Sequence, residues 1–451
     1  MSDNPNRREF LTATAGLGLA LSAGALAAKK VPAAKSARGY RPAEGFAAPA
    51  LETVSMAFVG VGLQGGSHVQ NFLRVEGVEI VALCDIDEPR AKEVQRWVVD
   101  DGRSAPDLYT RGETDYKRLC ERDDIDLVFN STPWRWHVPI CVEAMETGKH
   151  TAVEVPAATT VDGCWQLVET AERQRLHCVM MENCNYGRSE LMVLKMVRAG
   201  LFGELLHGEG AYIHDLRSIK FSDKNEGLWR LAHSVERNGN LYPTHGLGPI
   251  AQCMDINRGD RFDYLVSMSS NARGLKLYAE EHLPADDPRR KLDFVLGDMN
   301  TTLIKTGLGR TIVVQHDTTT PRPYSRINLL QGTRGCFTGY PDRIHIEGRS
   351  EGHGWDDIEA YREEFEHPLW RNLEGEAAGA GHGGMDYLED YRLIECLRQG
   401  QPTDMDVYDA AAVSSVVELS EISVAKQGRP VDVPDFTRGG WKTATPLEIV
   451  G

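Results

Sequence analysis

The stretch Val-Ser-Met-Ala-Phe-Val-Gly-Val-Gly-Leu-Gln-Gly at residues 54–65 constrains the fold more than any other part of the chain. Its opening half is mostly apolar and reads as a buried strand. Gly60, Gly62 and Gly65 follow in the G-x-G-x-x-G spacing of a turn that opens a helix. Each glycine serves a separate physical need, namely a tight turn, close approach of backbone to a pyrophosphate, and close packing of helix on strand. The spacing alone is common. Its weight depends on strands and helices alternating after it, as they do in a parallel sheet.

They do alternate. Residues 67–75 have helical character, and the apolar run at 78–84 is a second strand ending at Asp85. Asp85 lies 25 positions after Gly60, near where a dinucleotide fold places an acid on the adenosine ribose. An aspartate there favours NAD over NADP, because it repels a 2′-phosphate; a solvated strand-end residue is the plainer alternative. Helices are expected over 89–101 and 115–122, with another through Met145. Strands are expected over 126–130, 150–153 and 178–181. Their carboxyl ends carry the glycines, Asp85, Trp134 to His137, Glu154 and Glu182-Asn183, and ligands bind at such ends.

Beyond about residue 186 the pattern changes. After a helix over 189–199, strand-like segments at 205–213, 264–271, 300–306 and 311–318 follow one another, which implies an antiparallel sheet. Helices near 386–399 and 409–426 close the chain. The expected organisation is an α/β dinucleotide-binding domain over 51–185 and an α+β domain over 186–451.

Ahead of both, Arg7-Arg8-Glu9-Phe10-Leu11 precedes an Ala/Gly/Leu-rich run ending in Ala25-Leu26-Ala27. Paired arginines, a short apolar run and a small-residue end read as a twin-arginine export signal over 1–28, with an uncleaved membrane anchor as the alternative. Residues 29–50 read as a linker without a fold of its own. Export by this route implies a periplasmic or extracellular protein with no stable membrane span. The balance of 50 basic against 66 acidic residues argues against nucleic-acid and anionic-membrane partners. The nine cysteines show no C-x-x-C spacing, so neither a disulfide framework nor a metal site is expected.

In order, GVGLQG, VALCD, DLVFNSTPWRWH, Glu154-Val155-Pro156 and GLFGEL resemble the glucose–fructose oxidoreductase and inositol dehydrogenase superfamily, over residues 54–433. The resemblance implies a Rossmann domain that binds NAD or NADP, then an open, mainly antiparallel sheet domain that presents a sugar to the nicotinamide. It also implies a homo-oligomer. Dehydrogenases of that superfamily use a lysine in a Glu-Lys-Pro motif and an aspartate four residues before a histidine. Here Val155 stands for the lysine and Leu241 for the aspartate, and only His245 remains. Valine and leucine cannot take a hydroxyl proton. Either activity is lost or other residues carry the chemistry.

Longer runs, among them Glu182 to Tyr186, Tyr212 to Arg217, Leu241 to Gly246, Met254 to Gly259 and Gly379 to Tyr387, are similar to glycoside hydrolase family 109, the NAD-dependent α-N-acetylgalactosaminidases. That resemblance implies a glycosidase acting on glycans with terminal N-acetylgalactosamine by a redox route, not by the usual carboxylate pair. The sugar is oxidised at C3 with tightly bound, recycled NAD, loses its C1 substituent by elimination, adds water and is reduced again, with no net redox. Cofactor contacts would come from Gly60, Gly62, Gln64, Gly65, Asp85, Trp134, His137, Glu154, Val155 and Asn183. Core packing is the alternative for Trp134. Sugar contacts would come from Tyr212, Arg230, Tyr242, His245 and Tyr324, with His245 and Tyr242 as catalytic candidates. The glycine-rich turn around His382 either offers backbone amides to a ligand or is a crossing of chains. Two rival readings are an NAD-dependent sugar or inositol dehydrogenase and an inactive exported sugar-binding relative.

Overall fold

Two β-sheets organise the chain in a computed structural model that describes residues 46–446 and residue 449. The export signal and most of the expected linker lie outside the described residues. The first sheet contains β1 (Val54–Val59), β2 (Val78–Cys84), β3 (Asp107–Tyr109), β4 (Leu127–Asn130), β5 (His150–Val153) and β6 (Cys178–Met180), in the order β3-β2-β1-β4-β5-β6. Every pairing is parallel. β4 and β5 are buried at every position, as strands covered on both faces must be, which explains their continuous apolar character.

This is the Rossmann strand order, and it reverses direction between β1 and β4, where ligands bind beyond the carboxyl ends. Register determines what stands there. Val59 pairs with Cys84 on one side and Asn130 on the other, and Asn130 pairs with Val153. The next residues of the four strands, Gly60, Asp85, Ser131 and Glu154, therefore begin one row of loops.

The second sheet contains β7 (Leu205–Ile213), β8 (Phe262–Ser269), β9 (Asn300–Thr306), β10 (Thr311–Asp317), β11 (Leu329–Gly332), β12 (Gly335–Thr338), β13 (Arg343–Ile346), β14 (Asp356–Asp357) and β15 (Val431–Asp432). Its order is β14-β13-β12-β11-β7-β10-β9-β8-β15. The sheet is mainly antiparallel; β7 and β10 alone pair in parallel. β9 alternates between covered and more open positions, with Leu303 exposed, as in a sheet with one covered face.

Three features depart from the sequence reading. The glycine-turn helix spans Leu63–Phe72 and starts earlier than expected, because Gly62 is its N-cap without any side-chain cap to announce it. The linker ends before residue 50. The Phe46 ring lies 4.7 Å from that of His177, and the Ala48 N–H donates to His177 Nε2 at 3.2 Å. Burial takes His177 down to about 3, so its imidazole stays neutral and can accept that bond. Finally, the closing helices do not stay with the second sheet. Met385–Gln399 packs on Leu63–Phe72, while Val407–Ala425, apolar nearly all round, lies against Val161–Gln174, β6 and β8.

Candidate active site

At the glycine turn the three glycines divide the labour as their spacing requires. Gly60 has φ +85°, a left-handed conformation that glycine adopts freely. A Cβ on Gly65 would lie 2.2 Å from the Gly60 carbonyl oxygen, so only glycine lets the helix start this close to β1. A Cβ on Gly62 would meet nothing within 4 Å, which leaves its backbone open to a ligand. Ser131 Oγ donates to Gly60 O at 2.6 Å and ties the turn to the end of β4. Asp85 accepts from the Val61 N–H at 2.8 Å and the Asp87 N–H at 2.9 Å. Leu63 and Ile86 stand exposed beside this turn, offering apolar surface of the kind an adenine ring covers. These residues fit a dinucleotide.

His245 lies in the first turn of the helix Thr244–Cys253. Two glycines decide how that helix sits. A Cβ on Gly246 would be 2.3 Å from Ala211 N in β7, and one on Gly248 would be 2.8 Å from Glu182 Cγ. The helix is thereby wedged between the second sheet and the turn after β6. His245 Nδ1 meets Glu182 Oε1 at 2.7 Å, and that oxygen also accepts the Cys184 N–H at 3.1 Å. Burial alone would raise the Glu182 carboxyl, but the facing His245 holds it below its ordinary value. The carboxylate assigns the proton to Nδ1 and leaves Nε2 as the free base. Glu182, Cys184 and His245 also bring ligand-type atoms within 4.8 Å of one another. Burial holds the Cys184 thiol well above its ordinary value.

Rings surround His245. Tyr242 approaches it edge-on at 4.9 Å and Tyr212 at 5.5 Å, and Tyr212 contacts Tyr324 at 6.3 Å. Arg230, from the helix Gly227–Glu236, places its guanidinium 5.4 Å from the Tyr242 ring and 5.3 Å from that of Trp134. Glu226 pairs with it at 2.8 Å. Burial pushes Tyr212 up to about 12 and Tyr242 well above its ordinary value, although Arg230 opposes both shifts. Both are neutral phenols at neutral pH and act as hydrogen-bond donors.

A second acidic network, unseen in the sequence, lies on the cofactor side. Asn183 Nδ2 donates to Asp386 Oδ1 at 2.7 Å, and Gln64 Nε2 to Asp386 Oδ2 at 3.3 Å. His382, held at φ 49° in the glycine-rich turn, brings Nδ1 to 2.9 Å from the same carboxylate while about half its side chain stays exposed. The bond to Asp386 raises His382. Burial would raise Asp386, but His382 takes it down to about 2. Below them, buried His68 joins Glu154 through Nε2 at 2.8 Å and Asp390 through Nδ1 at 2.8 Å. Glu182 and Asn183 are adjacent, so one turn supports both the His245–Glu182 pair and the His382–Asp386 pair.

The structure thus gathers Tyr212, Arg230, Tyr242, His245 and Tyr324 in one cluster that Trp134 joins, and sets the glycines, Asp85, Glu154 and Asn183 in the loops after the parallel strands. Trp134 packs on Trp229 at 5.0 Å and Tyr242 at 5.8 Å. One expected cofactor contact needs correction. His137 is sealed, with Nδ1 2.8 Å from Pro156 O and Nε2 2.7 Å from Thr132 O, so its ring locks the turn and is not offered to a ligand. The side chains of Val155 and Leu241 are buried in the same apolar cluster as Trp134, Tyr212 and Tyr242. Gln64 turns its amide inward to His68 and Asp386. Local pattern could not reveal His68, Glu182, Asp386 or Asp390 as partners, because most of these contacts span tens to hundreds of residues.

A parallel sheet with an open glycine turn, tied by a buried imidazole–carboxylate pair to a helix that packs on a second, mainly antiparallel sheet, defines a nucleotide-binding enzyme of oxidoreductase architecture. Residues 54–182 match the oxidoreductase family with an NAD-binding Rossmann fold, and residues 186–443 match the glycosyl hydrolase 109 C-terminal domain. The fold is shared with levoglucosan dehydrogenase in complex with NADH (18% identity, TM-score 0.67, covering 85% of this chain and 99% of that one). It is also shared with an inositol dehydrogenase homolog complexed with NAD+ from Azotobacter vinelandii (20%, 0.63, 87% and 100%). Two glycosyl hydrolase family 109 proteins, from Shewanella pealeana and Shewanella sp. strain MR-4, are 54% and 53% identical over 99% of each chain. The chain belongs to glycosyl hydrolase family 109: a glycosidase-type enzyme with an NAD-binding domain.

Proposed function

We propose that this enzyme removes terminal N-acetylgalactosamine from glycans by an oxidation, elimination, hydration and reduction cycle with no net redox. The observation that carries this reading is the shared turn, on which Glu182 supports His245 and Asn183 supports the Asp386–His382 pair. Bound NAD⁺ would supply reversible oxidation of the C3 alcohol. His245 Nε2 takes the C3 hydroxyl proton and later returns it, with Glu182 holding the tautomer and sharing the charge. Tyr212, Tyr242, Tyr324 and Arg230 hold the sugar by donating to its oxygens. Once its first proton has passed to water, His245 Nε2 is again the base that takes the C2 proton, while Tyr242 stays a neutral donor. His382, whose protonated form the bond to Asp386 favours and which is half exposed, protonates the departing oxygen at C1.

Apolar packing at Val155 and Leu241 supports the reassignment of proton handling to these residues. It also supports a resident, recycled nucleotide over a consumed one. The paired arginines and small-residue stretch at the start of the sequence support export to the periplasm, which cell fractionation tests directly.

The deciding experiment incubates the NAD-loaded protein with an aryl N-acetyl-α-galactosaminide near neutral pH. Aryl release without accumulating NADH supports the reading. Accumulating NADH makes the protein a dehydrogenase instead, and neither signal makes it an inactive relative.

A further inference from the structure

The helix Gly227–Glu236, which brings Arg230 to the tyrosine cluster, buries only Arg230 and Ser234, one turn apart. Ser234 is thus the point at which the helix is held. Its hydroxyl accepts from Lys220 Nζ at 3.0 Å, and the same ammonium donates to Thr318 Oγ1, just beyond the end of β10, at 2.8 Å. β10 in turn pairs with β7 so that His316 stands opposite Tyr212. One side chain therefore ties the Arg230 helix to the strands behind the cluster.

The setting of that side chain is unusual. Lys220 is 4% exposed and, among the described residues, makes no ion pair. Lysine is almost never fully buried without a partner. Asp317 and Asp298 face it, but other donors occupy both: Asp317 accepts from Thr320 Oγ1 at 2.6 Å, and Asp298 from Thr319 Oγ1 at 2.8 Å. His233 and His316 also face it, and burial takes them down to about 4 and about 3, so both stay neutral. The remaining charge that acts on it is that of Arg230, so a second cation stands behind the guanidinium.

We propose that Lys220 is a positioning residue for the sugar: its bridge from Thr318 to Ser234 sets where Arg230 lies, and its positive charge strengthens the hydrogen bonds that Arg230 gives to ligand oxygens. This rests on the reading of Arg230 as a sugar contact of a glycosidase, so the test reads sugar binding, cofactor binding and cleavage separately. Burial takes Lys220 down to about 7; Arg230 adds to that shift, and Asp317 and Asp298 oppose it. The charge is present below that value and is lost as pH rises through it, and sugar affinity should fall with it.

Calorimetric titration of the NAD-loaded protein with free N-acetylgalactosamine should give a Kd that rises about fivefold from about pH 6 to about pH 8.5. Lys220→Met should bind the sugar about tenfold more weakly at about pH 6, lose most of that slope, and bind NAD as before. Its loss in cleavage of the aryl glycoside should fall on KM more than on kcat. Lys220→Arg, charged throughout, should hold its affinity to about pH 8.5. Ser234→Ala deletes one anchor and keeps the charge, so it should weaken binding about three- to tenfold and retain the slope.

A flat Kd in the unmodified protein overturns the proposal, as does a Lys220→Met protein that binds sugar normally or loses NAD affinity in equal measure. If that variant does not fold, unchanged sugar affinity in Ser234→Ala overturns it instead. Sugar binding that depends on Lys220, in a protein that cleaves no aryl glycoside, upholds the positioning role and sinks the glycosidase reading. Cleavage without any dependence on Lys220 does the reverse. No sugar binding and no cleavage overturn both.

Discussion

His245 and Glu182 meet at 2.7 Å although they are 63 residues apart, one on a helix against the second sheet and the other on the turn that ends the first. The pair joins the turn after β6 to the helix Thr244–Cys253. Glu182→Gln keeps the shape but removes the charge that holds the imidazole tautomer. Turnover should fall by about 10²–10⁴-fold, while NAD affinity, read by tryptophan fluorescence, changes little. A parallel loss of NAD affinity would contradict the assignment.

The His382–Asp386 pair predicts a pH profile. Asp386 raises His382, so His382 stays protonated, and competent as an acid, to higher pH than an isolated imidazole. Asp386→Asn should move the alkaline limb of kcat toward lower pH. The stability signs follow from the same shifts. Raised His382 contributes fully below the unfolded imidazole value of about 6.5, and that contribution is lost as pH rises through its folded value. Lowered Asp386 contributes above about 3.9 and loses that contribution as pH falls through its folded value of about 2. The difference in melting temperature between the protein and Asp386→Asn should therefore be greatest from about pH 4 to 6.5. A flat difference across that range counts against the pairing.

Two of the three glycines of the cofactor turn, Gly62 and Gly65, should fail differently. At Gly65 an added methyl collides with the Gly60 carbonyl, so Gly65→Ala should lower the melting temperature and the yield of folded protein. At Gly62 the methyl meets no protein atom, so Gly62→Ala should fold normally and bind NAD more weakly. Isothermal titration with NAD and a thermal melt, run on both variants, separate the two outcomes. A Gly62→Ala protein with unchanged NAD affinity would remove this turn from the cofactor site.

His68 is sandwiched between Glu154 and Asp390 with 1% of its side chain exposed. Removing it leaves buried Asp390 and partly buried Glu154 without their shared partner. His68→Ala should destabilise the protein by about 3–5 kcal/mol, measured by denaturant unfolding. It should also weaken NAD binding, because Glu154 ends the strand beside Asn130 in the row of loops that faces the cofactor.

The Rossmann half was legible because its signals are local. Apolar runs of strand length, glycines at fixed spacing and Asp85 at a strand end each depend on a few neighbouring residues. β3, only three residues long and half exposed, carries no such signal. The second sheet was legible as strands but not as an order: β10 lies parallel to β7, nearly a hundred residues upstream, and no local pattern encodes that pairing. Phe46 and Ala48 read as linker because their partner, His177, is 129 residues from Ala48.

At the site, residue types were readable along the chain: a nucleotide turn, an acid at the end of β2, tyrosines and His245, and valine and leucine where a dehydrogenase of the superfamily has lysine and aspartate. Tertiary structure decided which of them work together. It sealed His137 between two carbonyls, placed Glu182 behind His245, and brought His382, Asp386 and Asp390 from the far end of the chain to the glycine-turn helix. The physical reason is range. A turn or a strand is stabilised by bonds among near neighbours, whereas the protonation of an imidazole depends on a carboxylate within about 3 Å, and only the folded chain determines which one that is.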